Sequence, residues 1–311
     1  MFEIVRLALG RAASYQSFTY RSYRGWLVKP AAGTEAEADA GTGAGAGAEA
    51  EADADAQKII LGASFMGRPV GLLLAHPPVE DDPARVLSVF VDKPYRGLGI
   101  ATALMQELKA SLSSMNLEQA CVEYYALHSY EALERVLAKS GWQPPSVYSR
   151  FYRCDIAAGR DRKWISRFKL PSSCTVIPWN ELRRGELSLM NQLQEKDYNA
   201  YFMPMRAEGV IERDCSLVLK LDEEIVGWSI VDRQLPETLL YRTLYIREAY
   251  RDNGLGLSLA AQSAQRMLRT NASHLVIQIL PGNERMQKVA NRLLAPMQPV
   301  VTDYKRAVLD L

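Results

Sequence analysis

Arg96, Gly97 and Gly99 stand between the apolar run Val89, Phe90, Val91 and a helix-forming stretch that opens at Ile100. Residues of these types at this spacing suit the binding of phosphate. The first turn of a helix leaves several backbone N–H groups without partners and carries the positive end of the helix dipole, so it holds anions. Gly97 and Gly99 let the backbone approach a pyrophosphate with no Cβ in the way, and the amides of Leu98, Gly99, Ile100 and Ala101 are placed to point toward it. Arg96 offers a charge-assisted contact. The same glycines can also form no more than a tight strand-to-helix turn.

A second copy lies 155 positions later, where Tyr250 and Arg251 match Tyr95 and Arg96, and Gly254 and Gly256 match Gly99 and Ala101. It is less compact than the run from Tyr95 to Thr102. Asp252 sits where an acid would face incoming phosphate, and like charge weakens such binding. The first loop is therefore the expected binding copy.

Both loops need a strand before them and a helix behind them, and the hydrophobic pattern supplies these twice. In the first half a helix-like stretch over 10–28 precedes a strand pair, 58–66 and 69–75, turning at Gly67-Arg68. Then come a strand at 85–91, the loop, a helix over 100–113, a strand at 119–125, a helix over 129–139 ended by Gly141, and a closing strand at 148–156. The second half repeats the order with strands 216–221 and 225–231 about Asp222-Glu-Glu224, a strand at 238–246, the loop, a helix over 257–269, a strand at 274–280, a helix over 283–294 and a closing strand at 302–309. Two units sharing element order and intervals argue for duplication. With 311 residues, two domains are the natural expectation, 1–157 and 163–311, with the boundary near Ala157 to Arg162.

Residues 31–56 are almost wholly Ala, Gly, Thr, Glu and Asp and include no basic side chain. They have no apolar face to bury, which predicts a disordered insertion in a surface loop, either an inert expansion or a segment for a partner. The 37 basic and 36 acidic side chains leave a net charge of +1, without the broad positive field that nucleic-acid binding needs. The first thirty residues hold Arg6, Arg11, Arg21 and Arg24 among their apolar positions, so no signal peptide or membrane span is expected, and the location is cytoplasmic. Cys121, Cys154, Cys174 and Cys215 form no CxxC pair and stand apart from His76, His128 and His274. Neither a metal site nor a disulfide framework is implied, and the cysteines read as packing residues.

The pattern Arg-x-x-Gly-x-Ala at Arg96, Gly99 and Ala101, preceded by Tyr95 and an apolar strand, resembles the acyl-CoA loop of the GNAT acetyltransferases, and Arg251, Gly254 and Gly256 match it again. A dinucleotide fingerprint would open a parallel βαβ unit near a domain start, and a Walker A loop needs Gly-Lys-Ser/Thr, which neither copy has. The resemblance covers essentially the whole chain. It implies an α/β (α+β) fold of two tandem domains, each a mixed, mostly antiparallel central sheet flanked by helices.

It further implies that the strands at 85–91 and 119–125 splay apart, and that the pantetheine of acetyl-CoA fills the gap, bonding to the backbone from Ser88 through Val89 and Phe90 to Val91. Acetyl-CoA would be the co-substrate, with no metal, and the acceptor a primary amine of a small molecule or peptide, such as an antibiotic or metabolite. Acetyl transfer needs a neutral amine, a placed thioester, a donor to the carbonyl oxygen and a proton for the thiolate. Many family members supply that proton from a Tyr in the helix after the fifth strand, but Leu137 and Ala290 occupy the position here. Tyr124 and Tyr130 remain as candidate hydroxyls, with packing as the plainer reading of each.

For the base, Glu123 is the best-placed carboxylate, with a solvated strand residue as the plainer reading. Leu87 stands where some members carry a carboxylate. Glu80, Asp81 and Asp82 form either a solvated loop or an attraction for a cationic acceptor. The run Tyr198, Tyr201, Phe202, Met203, Pro204 and Met205 lines an acceptor pocket or packs between the halves. The missing Tyr also keeps open a non-catalytic acyl-CoA-binding or structural role.

Overall fold

A computed structural model of the chain describes residues 1–8, 10, 12–28, 58–78, 83–127, 130–197, 202, 210–251 and 253–311. These fall into two compact units, one containing the described residues up to Tyr148 together with Asp303–Leu311, the other Ser149–Thr302.

The first unit is built on β1 (Phe2–Arg6), β2 (Ile59–Phe65), β3 (Arg68–His76), β4 (Ala84–Val91) and β5 (Gln119–Tyr125), with α1 (Ile100–Ser114) after β4 and α2 (Tyr130–Lys139) after β5. Strands β1 to β4 are antiparallel neighbours in sequence order. The crossover through α1 then brings β5 parallel to β4. Buried residues Ile100, Leu104, Met105, Leu108 and Leu112 recur every three or four positions along α1, so one face of the helix packs on the sheet. They share a core with Ile59, Leu61, Leu73, Val122 and Leu137. The β2–β3 turn is Met66-Gly67, with φ of 50° and 74°, one residue earlier than the sequence implied. Two left-handed residues are what a two-residue hairpin demands.

The stretch 10–28, expected to be one helix, instead forms two short 3-10 helices, Ala13–Phe18 and Arg21–Trp26. Serines and Thr19 interleaved with bulky aromatics leave no continuous apolar stripe at a period of 3.6, and hydroxyls compete for backbone hydrogen bonds. The aromatics are used for covering: Tyr15 and Phe18 pack with Ile60, Leu72 and Leu74 on the sheet face away from α1. Strand β1, too short to show a period, was not legible.

The second unit contains β6 (Ser146–Asp155), which begins in the first, then α3 (Lys163–Arg167), β7 (Cys174–Pro178), α4 (Arg184–Asp197), β8 (Leu217–Leu221), β9 (Glu224–Leu235), β10 (Thr238–Ile246), α5 (Leu255–Met267), β11 (His274–Ile279) and α6 (Glu284–Leu294). Strands β7 to β10 are antiparallel in order, and β11 is parallel to β10. Neither β7 nor α4 was read from the sequence. Helix α6 starts where Asn283 caps it, its side chain accepting from the Met286 N–H at 3.0 Å.

The closing strands are exchanged. The sequence pairs 148–156 with the first half and 302–309 with the second, whereas β5 is covered by β12 (Val300–Asp310), with Tyr304 opposite Tyr125 and Asp310 opposite Gln119. Strand β11 is covered by β6, with His274 opposite Asp155 and Ile279 opposite Arg150. Two duplicated sheets present like edges, so either closing strand fits either edge, and order along the chain does not choose between them. The compact units accordingly divide at Tyr148/Ser149 and Thr302/Asp303, whereas the sequence reading divides at Ala157 to Arg162.

Candidate active site

Strands β4 and β5 pair only over Ala84, Arg85 and Val86 against Ala120, Cys121 and Val122. Beyond that, β4 continues beside β3 to Val91 and β5 beside β12 to Tyr125, but no pairing joins the two to each other. The result is a gap between Leu87–Val91 on one side and Glu123–Tyr125 on the other. Its inner edges carry backbone groups that need partners from elsewhere.

The loop at the end of β4 has the geometry expected of an anion site. Gly97 and Gly99 have φ of 85° and 82°, and Gly99 is the N-cap of α1 with no side-chain cap over the helix end. A Cβ built at either would meet nothing within 4 Å. These glycines are thus required for backbone conformation, with open space beside them. The Asp92 side chain accepts from the Lys93 N–H at 2.8 Å, which starts the single turn Lys93–Tyr95, and the Tyr95 ring stands 5.5 Å from that of Phe65.

Arg96 turns back on its own strand. Its Nε donates to the Val91 carbonyl at 2.9 Å, and its guanidinium lies 5.4 Å from the centre of the Phe90 ring. This buckles the loop to the strand end, a duty beyond the phosphate contact expected from sequence. Its remaining guanidinium N–H groups make no other hydrogen bond among the described residues. Val89 and Ala101 pack against the core, Val91 and Ile100 are buried, Thr102 is half-buried, and Leu98 is exposed on the loop.

The second unit repeats this geometry. Strands β10 and β11 pair from Thr238 to Tyr241 against His274 to Ile277 and then part. Gly254, with φ of 75°, is the N-cap of α5. The Arg251 Nε donates to the Ile246 carbonyl at 2.9 Å, and its guanidinium lies 5.9 Å from the Tyr245 ring centre. Asp252 lies outside the described residues.

Two polar clusters flank the gap in the first unit. Tyr124 donates its hydroxyl to Glu134 Oε1 at 2.7 Å, and Lys305 Nζ donates to the same oxygen at 2.8 Å. The Lys305 ammonium also stands 4.7 Å over the Tyr130 ring. Tyr124, Tyr130, Glu134 and Lys305 are thereby brought together. Burial, and then the hydrogen bond to Glu134, push the Tyr124 hydroxyl well above the ordinary tyrosine range. Burial would raise the Glu134 carboxyl, but its bonds from Lys305 and Tyr124 outweigh that and hold it below its ordinary value. Lys305 is raised by the same hydrogen bond.

Glu123 occupies the other cluster, since neighbouring strand residues face opposite sides of a sheet. Its side chain is 6% exposed, with Arg85 and Arg306 each 3.6 Å away and the Tyr304 hydroxyl donating to it at 3.1 Å. That carboxylate is enclosed by two cations and a donor. Leu137 is fully buried in the core, and Leu87 packs on the face away from α1.

Sequence reasoning missed Glu134, Lys305, Arg85, Tyr304 and Arg306. Glu134 carried a signal, standing four residues from Tyr130 on the same helical face. The three residues on β12 carried none, because that strand was assigned to the other half.

The insertion 31–56 and the Glu80–Asp82 cluster lie outside the described residues, as does the run from Tyr198 to Met205 except Phe202. The Phe202 carbonyl accepts from Trp228 Nε1 at 3.0 Å, and its ring is 5.7 Å from Tyr245. Cys121, Cys154 and Cys215 are buried, and burial raises the Cys154 thiol to about 11. No helix among the described residues is long and apolar enough to cross a membrane.

A family model described as the acetyltransferase (GNAT) family matches residues 27–136 and again 179–294. Among solved structures, the chain is similar to a tandem GNAT protein from the clavulanic acid biosynthesis pathway, at 14% identity and a TM-score of 0.62, over 100% of this chain and 98% of that one. It is similar also to a GCN5-related N-acetyltransferase from Sphaerobacter thermophilus, at 13% identity and a TM-score of 0.54, over 99% and 95% of the two chains. A third likeness is to the GCN5-related glucosamine N-acetyltransferase region of a fungal multi-domain GH3 beta-N-acetylglucosaminidase, at 11% identity and a TM-score of 0.59, over 80% of this chain and 33% of that one. At such identities the likeness is one of fold. No curated protein matches the chain in sequence.

Proposed function

Because the chain belongs to the acetyltransferase (GNAT) family, we propose that it is an N-acetyltransferase whose first unit holds acetyl-CoA and passes the acetyl group to a primary amine of a small molecule or peptide. The observation that carries this reading is the juxtaposition of two features in one unit. An anion-ready helix start, opened by Gly97 and Gly99, lies at the end of the same strand whose inner edge is unpaired from Leu87 to Val91.

In this reading the backbone amides at the start of α1 bind the pyrophosphate, while Arg96 holds the loop in place and adds charge. The open edge of β4 from Ser88 to Val91 takes the pantetheine amides as a further strand would. The acetyl thioester supplies the electrophile. As the amine nitrogen bonds to the carbonyl carbon and the carbon–sulfur bond breaks, Tyr124 turns its hydroxyl from Glu134, gives its proton to the departing thiolate, and regains one through water from the proton that the amine releases. Between turnovers Glu134 holds that hydroxyl, and Lys305 keeps Glu134 ionised. Glu123, enclosed by Arg85 and Arg306, is assigned to holding β4, β5 and β12 together, so the proton of the attacking amine leaves to water.

The second loop has Asp252 in place of Gly97, and the second unit is assigned no acetyl-CoA. A non-catalytic, acyl-CoA-binding role is the second reading, favoured by the burial of Leu137 and Ala290 where many relatives carry the proton-donating Tyr. Thiol release from acetyl-CoA across a panel of primary amines separates the two, with Gly99→Val as control. Binding without consumption of acetyl-CoA sinks the enzyme reading, and a calorimetric stoichiometry of two per chain sinks the asymmetric assignment.

A further inference from the structure

The second unit contains an apolar cavity of about 80 Å³ between its sheet and the helices α5 and α6. Its origin is legible in the sequence. Ala260 stands six residues after Gly254, where the first unit has Met105 six residues after Gly99, and Ala290 stands where the first unit has Leu137. Met105 and Leu137 are fully buried in a continuous core. Alanines at the matching places on two facing helices leave the space open, walled by Ala264, Met267, Met286 and Leu294. The polar atom that Tyr241 brings to this wall is already bonded, to Ser229 at 2.7 Å. A cavity so lined stays dry and takes hydrocarbon.

A further observation says what else the ligand carries. Beside the cavity, and sharing Ile165 and Leu268 with it, lies a cleft of about 620 Å³ lined by Arg160, Arg162 and Lys169 and by no acidic residue. Arg162 Nε is engaged by the Ala158 carbonyl at 2.9 Å, while Arg160 and Lys169 are exposed and pair with no carboxylate among the described residues. The three cations mark the cleft for an anion, with Asp161, between two of them in the chain, outside its lining.

We propose that the second unit binds an anionic amphiphile, a short aliphatic chain with a negatively charged head. The chain fills the cavity between Ala260 and Ala290. The head rests among Arg160, Arg162 and Lys169. The site is independent of the acetyl-CoA reading, since it uses neither glycine loop.

Calorimetric titration of the full chain tests this with sodium octanoate, with acetate as the head without a chain and 1-octanol as the chain without a head. Octanoate is expected to bind at least about tenfold tighter than acetate, since two buried methylenes alone supply that factor. Ala260→Met and Ala290→Leu, each restoring the residue of the first unit, should abolish the preference for the longer chain. Replacing Arg160, Arg162 and Lys169 by Gln should weaken octanoate and leave octanol unchanged. Octyl phosphate titrated beside octanoate identifies the head as phosphate or carboxylate, and tight binding of either supports the site. Octanoate binding no tighter than acetate, or a chain preference surviving in both filled variants, overturns it. Should a filled variant fail to fold, the chain comparison and the Gln variants decide alone.

Discussion

Lys305 Nζ lies 2.8 Å from Glu134 Oε1, a contact between residues 171 positions apart in sequence and yet within one compact unit. Glu134 in turn accepts from Tyr124. The proposed proton donor is therefore oriented by a carboxylate from α2 that is itself held by a lysine from the exchanged strand.

Replacing Tyr124 with Phe should lower kcat by roughly two orders of magnitude, the usual worth of a positioned acid, with little change in KM for acetyl-CoA. Glu134→Gln should give a smaller loss, because the hydroxyl remains but its orientation relaxes. Steady-state kinetics with the best amine of the panel reads both. An unchanged kcat for Tyr124→Phe removes Tyr124 from the mechanism.

The Glu134–Lys305 pair predicts a stability plateau with two edges. Glu134 is held below its ordinary 4.5, so its contribution is present above that pH and is lost as the pH falls through the lower folded value. Lys305 is raised above 10.5, so its contribution is complete below that pH and lost as the pH rises through the higher folded value. Both side chains keep some solvent contact, 28% and 20% exposed, which limits the pair to about 1 kcal/mol or less. Urea unfolding of Lys305→Met against wild type should show that small deficit at pH 7 and less of it near pH 3.

Gly99→Val should abolish tight acetyl-CoA binding while leaving the chain folded. The space beside Gly99 is open, so the cost to folding is the left-handed backbone, about 1–3 kcal/mol. The binding cost is greater, because relief of that strain re-aims the α1 amides and the new side chain takes the ligand's space. Calorimetry with acetyl-CoA and a thermal melt separate the two effects. Full affinity in this variant would exclude the loop as the pyrophosphate site.

A fragment ending at Ala157 should not fold, although it contains the whole first half as read from sequence. It lacks Ala307 and Leu309, both buried in the core of the first unit, and leaves the edge of β5 without β12. A fragment in which residues 303–311 are joined by a flexible linker after Tyr148 should fold. Circular dichroism and amide dispersion in NMR spectra check the pair, and a well-folded 1–157 fragment would contradict the exchange.

What could be read in advance was whatever repeats locally. The strand-to-helix loops at Arg96 and Arg251, the hairpins and the alternation of helix and strand follow from glycine placement and periodicity, which act over a few residues. Even the bounds of β5, Gln119–Tyr125, are those read from the sequence. The choice between β6 and β12 as neighbour of β5 depends on two like edges competing for two like strands, which no local pattern decides. Lys305, Tyr304 and Arg306 were lost with it, as was the reason Glu123 is enclosed. The cavity was half legible: Ala260 and Ala290 are visible in the sequence, but only the facing of α5 and α6 turns two small residues into one space.

The exchange of β6 and β12 also sets a schedule for synthesis. The first unit divides at Tyr148 and resumes at Asp303, so its sheet stays one strand short while the intervening residues are made. At ~5–20 residues per second that wait is on the order of ten to thirty seconds. Throughout it the edge of β5 is exposed on the ribosome, open to chaperones or to a neighbouring nascent copy. A frameshift anywhere in the second unit would therefore also leave the sheet that carries the Arg96 loop one strand short, far upstream of the lesion.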